Sequence, residues 1–442
     1  KFGTIGVDGL SNDAWSEVDA IGDPNSGQGK LGRSVTHAAM FVTAFHQQQN
    51  DNLEKFSTGA YIYPDTDFNN LADFSKLAQS QMRFGALYRR VDIWANSPPA
   101  GAVNSAEDVD LDGENEYLLY NATSFAVFEA MGGRCVAAFT RNPTTDAVYQ
   151  IIGTQPTGAD AETEAEGTLN VDGGEVGAKR TSAFKDWFAN GSGGGTSQYV
   201  NALYGVAPSG TDGWIFTAPG DHIQKVISLD DSLPELSAAY TLSGDIDKLY
   251  VRHGLSPNLW NLITRGHYDL DDLAHDTANR GITLLNRGGA EPVAAALSYD
   301  ANAELVSSAV DDEPGTEWDA LNMRNQALTE QVELTNVDGQ TSFTLGLALE
   351  NGATDNDGDT LPNWWERDVG LDPDSASGDD GASGNTDGDD FDQRDEYVLG
   401  LDPFQTELDG LPRGLIAPNG EGGFTVTFPV LEGRTYQVWY VD

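Results

Sequence analysis

Apolar residues recur at helical spacing in two stretches of the first hundred residues. Val35, Met40, Phe41, Ala44 and Phe45 share one face of a helix expected over 31–49. Leu71, Phe74, Leu77, Ala78, Met82, Leu87, Tyr88, Val91 and Trp94 do the same over 68–94. Gly85 is the expected break between two helices there, and Pro98 and Pro99 the stop. Residues 1–30 read as loop, with a turn at Val7-Asp8-Gly9 and a short helix around 12–15.

Beyond about residue 100 the pattern changes to short β-rich runs at 116–121, 125–128, 134–139 and 148–152, divided by turns. Further runs lie at 199–206, 214–217, 223–229, 236–242, 248–252, 282–285, 332–334 and 343–349, with a helical insert at 256–263. Many strands with little helix between them predict a large β-sandwich. Residues 423–428 and 436–441 read as the first strands of another β-domain. The expected fold is mainly β with an N-terminal helical segment. That segment covers 1–100, the sandwich 101–350, a Gly/Asp-rich repeat 351–408 and a partial β-domain 409–442.

Composition narrows the partners. Seventy acidic residues against 24 basic give a formal net charge of −46. Such a surface repels nucleic acid and anionic membranes, and both are excluded as expected partners. No apolar run approaches the ~18 residues of a membrane helix. Cys135 is the one cysteine and lies in an apolar stretch, so it is expected in the core and forms no internal disulfide.

The repeat carries the most specific chemistry. Asp355, Asp357, Asp359, Asn363 and Glu366 occupy positions 1, 3, 5, 9 and 12 of one loop. Asn385, Asp387, Asp389, Gln393 and Glu396 do so in a second, and each Glu is followed at one offset by Gly-Leu-Asp-Pro. Ca²⁺ takes six to eight oxygens, and a twelve-residue loop supplies them from positions 1, 3 and 5, a carbonyl at 7, often a water at 9, and a bidentate Glu at 12. Leu361 and Phe391 are the expected carbonyl donors. The glycines sit at 358 and 388, two residues earlier than in an EF-hand, so a different turn is expected. A third candidate is Asp108, Asp110, Asp112 and Glu116, which has Leu119 at position 12. The alternative for that segment is an acidic hairpin. Modules outside cells bind Ca²⁺ with Kd of about 10⁻⁴ to 10⁻³ M, which suits a structural role at an extracellular or cell-surface location.

Other chemistries find little support. The histidines His37, His46, His222, His253, His267 and His275 form no zinc motif, and no G-x-S-x-G elbow occurs. The Gly/Ser run 191–196 lacks the Lys-Ser/Thr ending of a phosphate loop. Seventy acids do not single out a glycosidase pair. Trp187, Trp214, Trp260 and Trp318 are candidate sugar platforms, with core packing as the default.

The twin loops resemble dockerin-like and bacterial thrombospondin type 3-like calcium repeats. The stretch from Asp108 to Asn121, then Phe125-Ala126-Val127-Phe128 and Gly132-Gly133-Arg134, resembles the first strands of the sandwich that follows the barrel in family 57 and family 38 type glycoside hydrolases. The region containing Leu77-Ala78-Gln79-Ser80-Gln81 is similar to their helical domain. That resemblance implies that the catalytic carboxylates lie in a barrel preceding Lys1, and it carries no catalytic residue onto this chain. A start at Lys1 without Met, and an end at Asp442 inside an expected strand, read as a mature or excised piece of a longer protein. Two functions are expected. One is the non-catalytic C-terminal part of a secreted polysaccharide-acting protein, with polysaccharide and its own further domains as partners. The other is a self-assembling subunit of a surface layer, filament or adhesin.

Overall fold

Alternating burial lays most of the chain down as antiparallel sheet. In Ile223–Leu229 and Glu235–Leu242 every second side chain is buried. The ladder sets Ala238 opposite Ile227 on one side and Leu345 on the other, so one face of three strands is continuously apolar. The computed structural model describes residues 8–45, 82, 85–111, 113–153, 182–189, 199, 202–244, 246, 248–265, 273–276, 279–310, 330–389, 391–406, 415–418 and 424–427. They fall into two units, Lys1–Ala353 and Thr354–Asp442.

The larger unit begins with helices α1 (Asp8–Asp19), α2 (Gly27–Phe45) and α3 (Leu87–Asn96). Strands β1 (Val103–Glu107), β2 (Glu116–Tyr120), β3 (Ser124–Phe128), β4 (Cys135–Arg141) and β5 (Val148–Ile152) form a five-stranded meander. There follow β6 (Lys185–Ala189), β7 (Gly205–Ser209), β8 (Gly213–Thr217), β9 (Ile223–Leu229), β10 (Glu235–Leu242) and β11 (Leu249–Leu255). Helix α4 (Leu259–Arg265) then leads to β12 (Leu273–Asp276), β13 (Gly281–Asn286), β14 (Val293–Tyr299), β15 (Ala303–Val310), β16 (Glu330–Asn336) and β17 (Ser342–Asn351). One sheet has the order β12-β13-β14-β17-β10-β9-β8-β7, and another β15-β16-β11-β6. The fold is thus mainly β with an N-terminal helical segment.

Two cores explain why β3 is buried at every position and β4 at all but its last. Phe125, Val127, Ala137 and Phe139 pack with Leu31, Val35, Tyr88, Val91 and Trp94 on the helical side. Ala126, Phe128, Cys135 and Ala138 join a core that holds Phe216, Ile227 and Leu345 with Val251 and Leu334. A sheet covered on both faces reads as a continuous apolar run. The Trp94 indole donates to Asn121 O at 2.7 Å and pins α3 to this sheet. Cys135 lies in the core as expected, and burial pushes its thiol up to about 12.

Several expectations shift. Helix α1 spans Asp8–Asp19, longer than the short helix read from the sequence, and α2 begins at Gly27. Residues 85 and 86 form the turn before α3, where Gly85 was expected to break the helix. The strand expected over 199–206 begins only at Gly205, because Tyr199 and Tyr204 turn into the core instead of pairing along a ladder. Strand β14, Val-Ala-Ala-Ala-Leu-Ser-Tyr, has weak intrinsic β preference and forms because it lies between β13 and β17. Of the candidate platforms, Trp214 is core, 6% exposed, with its indole on Leu118 O at 2.9 Å. Trp318 and the side chain of Trp187 lie outside the described residues, as does most of the helix expected over 68–94.

An ion pair crosses the sandwich core. Lys225 Nζ lies 2.9 Å from Asp186 Oδ2, with both side chains wholly buried. Lys225 also donates to Phe184 O at 2.7 Å, and Tyr204 Oη donates to Asp186 Oδ2 at 2.7 Å. His253 is buried beside them with Phe184 edge-on to its ring. Burial, then the Lys225 charge, pushes its pKa down to about 3. The unfolded chain, with an ordinary His pKa of about 6.5, binds this proton first as the solution is acidified. Stability linked to His253 is therefore full above about pH 6.5 and is lost as pH falls toward 3, at about 1.4 kcal/mol per unit. In urea titrations between pH 6 and 4.5, His253→Asn should show a correspondingly shallower loss than the wild-type chain. Equal slopes would refute the assignment.

Candidate metal centre

The smaller unit contains helices α5 (Asn363–Val369) and α6 (Gln393–Leu399) and a hairpin of β18 (Leu415–Pro418) and β19 (Phe424–Thr427). Each seven-residue helix ends at a glycine in the left-handed region, Gly370 at φ 91° and Gly400 at φ 75°. The Gly370 and Leu371 N–H groups donate to Glu366 O, and those of Gly400 and Leu401 to Glu396 O. The repeated Gly-Leu-Asp-Pro is therefore a helix stop that closes on the last residue of each acidic loop.

In the first loop, carboxylate oxygens of Asp355, Asp357 and Asp359 lie within 4.8 Å of one another. Two ligands each ~2.4 Å from one Ca²⁺ are at most ~4.8 Å apart, so the spacing fits a single ion. Backbone N–H groups hold the cluster. Asp355 accepts from Gly358 N (2.8 Å) and Thr360 N (2.9 Å), Asp357 from Asp359 N (3.1 Å), and Asp359 from Leu361 N (2.8 Å). Glu366 is buried, and neither of its carboxylate oxygens has a hydrogen-bond partner. Burial, and then the charges of Asp357, Asp359 and Asp355, push its pKa up to about 9. Burial also raises Asp357. A desolvated carboxylate beside three others is unfavourable unless a cation compensates it. The donors are oxygens only, as a hard divalent cation requires.

The second loop repeats the plan. Oxygens of Asp387, Asp389 and Glu396 lie within 4.8 Å, with Glu396 buried. Asn385 accepts from Gly388 N at 2.7 Å, Asp387 from Asp389 N at 3.1 Å, and Asp389 from Phe391 N at 2.6 Å. Gly358 and Gly388 have φ of 76° and 77° with open space where a Cβ would stand, so backbone conformation alone requires glycine. Gly358→Ala should lower stability by about 1–2 kcal/mol in calcium buffer through left-handed strain, measured by urea midpoint. No measurable change would mean the loop has another resting conformation.

Position 9 serves a second purpose. Asn363 Oδ1 accepts from Asn356 N at 2.9 Å, and Gln393 Nε2 donates to Asp379 O and Thr386 Oγ1, both at 2.7 Å. These side chains brace the loops. Sequence spacing did not reveal a link from the first loop to the segment that precedes the second: Asp359 Oδ2 accepts from Ala382 N at 2.6 Å. Asp392 caps α6 by accepting from Asp395 N, and an Asp just before a helix is the sequence signal for it. Leu361, Trp365 and Leu371 form a small core with Trp364, Ala382 and Tyr397 packed on it.

At the third segment, oxygens of Asp108, Asp110 and Glu116 lie within 4.8 Å. Asp108 accepts from Leu111 N (2.8 Å) and Gly113 N (3.1 Å), and Glu116 from Val109 N (2.7 Å). Asp112 lies outside the described residues.

No family profile and no curated protein matches the sequence. Among solved structures, the 4-alpha-glucanotransferase of Thermococcus litoralis is similar over 72% of this chain and 50% of its own, at 12% identity and TM-score 0.33. A bacterial glucoamylase complexed with acarbose is similar over 53% of this chain and 31% of its own, at 14% identity and TM-score 0.30. YidC from Thermotoga maritima is similar over 57% and 51%, at 10% identity and TM-score 0.27. This chain spans about half the length of the glucanotransferase and of YidC and about a third of that of the glucoamylase, and likeness this distant assigns no activity.

Proposed function

We propose that this chain is a calcium-stabilised, non-catalytic part of an extracellular polysaccharide-acting protein, its smaller unit held rigid by two Ca²⁺ ions. The observation that carries the calcium reading is Glu366, buried without a hydrogen-bond partner beside Asp355, Asp357 and Asp359. Glu366 with the three aspartates would hold one ion, and Asp387, Asp389 and Glu396 the other, with Leu361 and Phe391 as carbonyl donors. A bound ion neutralises carboxylates that otherwise repel, and so fixes a segment whose Gly/Asp-rich sequence buries little. The link to polysaccharide rests on the resemblance of residues 108–134. Asp108, Asp110, Asp112 and Glu116 form a further candidate site. The test is calorimetric titration of the chelated chain with CaCl2. Two or more equivalents are expected, with one lost in Glu366→Gln. Absence of calcium binding by both loops defeats the proposal.

A second reading, a structural subunit of a surface layer, filament or adhesin, uses the same rigid segment and predicts calcium-dependent self-association in light scattering.

A further inference from the structure

We infer that a cleft in the larger unit binds a neutral, hydroxyl-rich ligand, a short oligosaccharide, with Trp260 as its aromatic wall. The cleft measures about 960 Å³ and is bounded by the start of α2, the end of α3, the β4–β5 turn and α4. Small-molecule sites commonly enclose about 300–1,000 Å³. It is remote in sequence from the acidic loops and shares no residue with them.

Two of the charges in the cleft, Asp92 and Arg141, are paired. Asp92, 3% exposed, receives Arg89 Nη1 at 2.6 Å, Gln28 Nε2 at 3.3 Å, Asn96 Nδ2 at 3.2 Å and Gly22 N at 3.4 Å. Arg141 pairs with Asp146 across the turn. The other charged residues of the lining, Asp23 and Lys30, are of opposite sign, so an ionic ligand finds no cluster of one charge. What the cleft offers is amide oxygen. Gln28 and Asn96 spend their NH2 groups on Asp92, and Asn261 donates its own to Gly288 O at 2.8 Å. The Oε1 of Gln28 and the Oδ1 of Asn261 have no hydrogen-bond partner and are shielded from solvent in the free chain, so a ligand donor reaches them as these side chains turn toward the cleft. Hydroxyl groups are the neutral donors that match such acceptors. Trp260, half-buried on α4 next to Asn261, supplies a flat apolar surface among them. A sugar ring combines an apolar face with peripheral hydroxyls, which is the complement of an aromatic ring set among acceptors.

The choice of sugar over other neutral polyols rests on the polysaccharide reading above, whereas the cleft itself does not depend on calcium. The test is titration of the full chain in calcium buffer with neutral gluco-, xylo-, manno- and galacto-oligosaccharides, followed by calorimetry and tryptophan fluorescence. Choline and a sulfated oligosaccharide serve as charged comparisons. At least one neutral sugar is expected to bind with 1:1 stoichiometry. Trp260→Ala should weaken it tenfold or more, and Trp260→Phe, which keeps an aromatic ring, less. Asn96→Ala, at an exposed position, is the second variant and should weaken binding at least threefold. Binding of no neutral sugar, preference for a charged probe, or affinity unchanged in both Trp260→Ala and Asn96→Ala overturns the inference. Calcium titration of the same sample shows separately whether the acidic loops behave as proposed.

Discussion

Removing calcium should unfold the smaller unit. With each loop held at about 100 times its Kd, binding adds about 2.7 kcal/mol per site, or about 5 kcal/mol for two. A typical domain has only about 5–15 kcal/mol in all. The small core of Leu361, Trp365 and Leu371 is too slight to compensate for that loss. In EDTA, calorimetry should show the transition of this unit shifted down sharply or abolished, and limited proteolysis should cut within 354–406. The sandwich, whose core is apolar and extensive, should keep its own transition. Magnesium should restore little, because it demands near-octahedral geometry at ~2.1 Å and gives up its waters reluctantly. Unchanged melting and unchanged protease resistance after chelation would remove the calcium reading.

The same argument predicts an inversion in the variant Glu366→Gln. Without calcium, replacing a carboxyl whose pKa is pushed up to about 9 with a neutral amide should stabilise the loop or leave it unaffected. With calcium, the same change removes a ligand and should destabilise it. A mutation that merely disturbs packing would destabilise under both conditions.

The acidic loops were legible because their chemistry is local. Every proposed ligand of a loop lies within twelve residues, and the Gly-Leu-Asp-Pro stop recurs at a fixed offset. The alternating strands β9 and β10 were legible for the same reason. Strand β14 was not, since three alanines look neutral until β13 and β17 flank them. Strand β6 was missed because Lys-Asp-Trp-Phe-Ala has no period, and Asp186 within it has meaning only opposite Lys225. Lys225 was the visible clue: it occupies an inward position between Ile223 and Ile227 in a strand that otherwise buries apolar residues there. The Gly132-Gly133-Arg134 turn also gains a physical reading. Both glycines have positive φ, and a Cβ at Gly133 would stand 2.8 Å from the Tyr204 ring and 3.0 Å from Lys225 Cε. The turn makes room for the buried lysine.

Breaking that ion pair should be the most damaging single change in the sandwich. Burial raises the Asp186 pKa and lowers that of Lys225, while each charge opposes the shift in the other. Asp186→Ala leaves an ammonium in the core with no counter-charge, and removal of one partner of a buried pair typically costs about 3–5 kcal/mol. Replacing both partners with apolar residues often recovers everything, but here it should not. Lys225 also satisfies Phe184 O, and Asp186 accepts the Tyr204 hydroxyl. Lys225→Met with Asp186→Leu would strand both groups, at about 1–3 kcal/mol each. Adding Tyr204→Phe should then regain stability, because it removes one stranded hydroxyl. Urea midpoints at constant m-value across the wild-type chain and these three variants measure this. A loss below about 1 kcal/mol in Asp186→Ala would mean that water reaches the lysine and that the core is not sealed there.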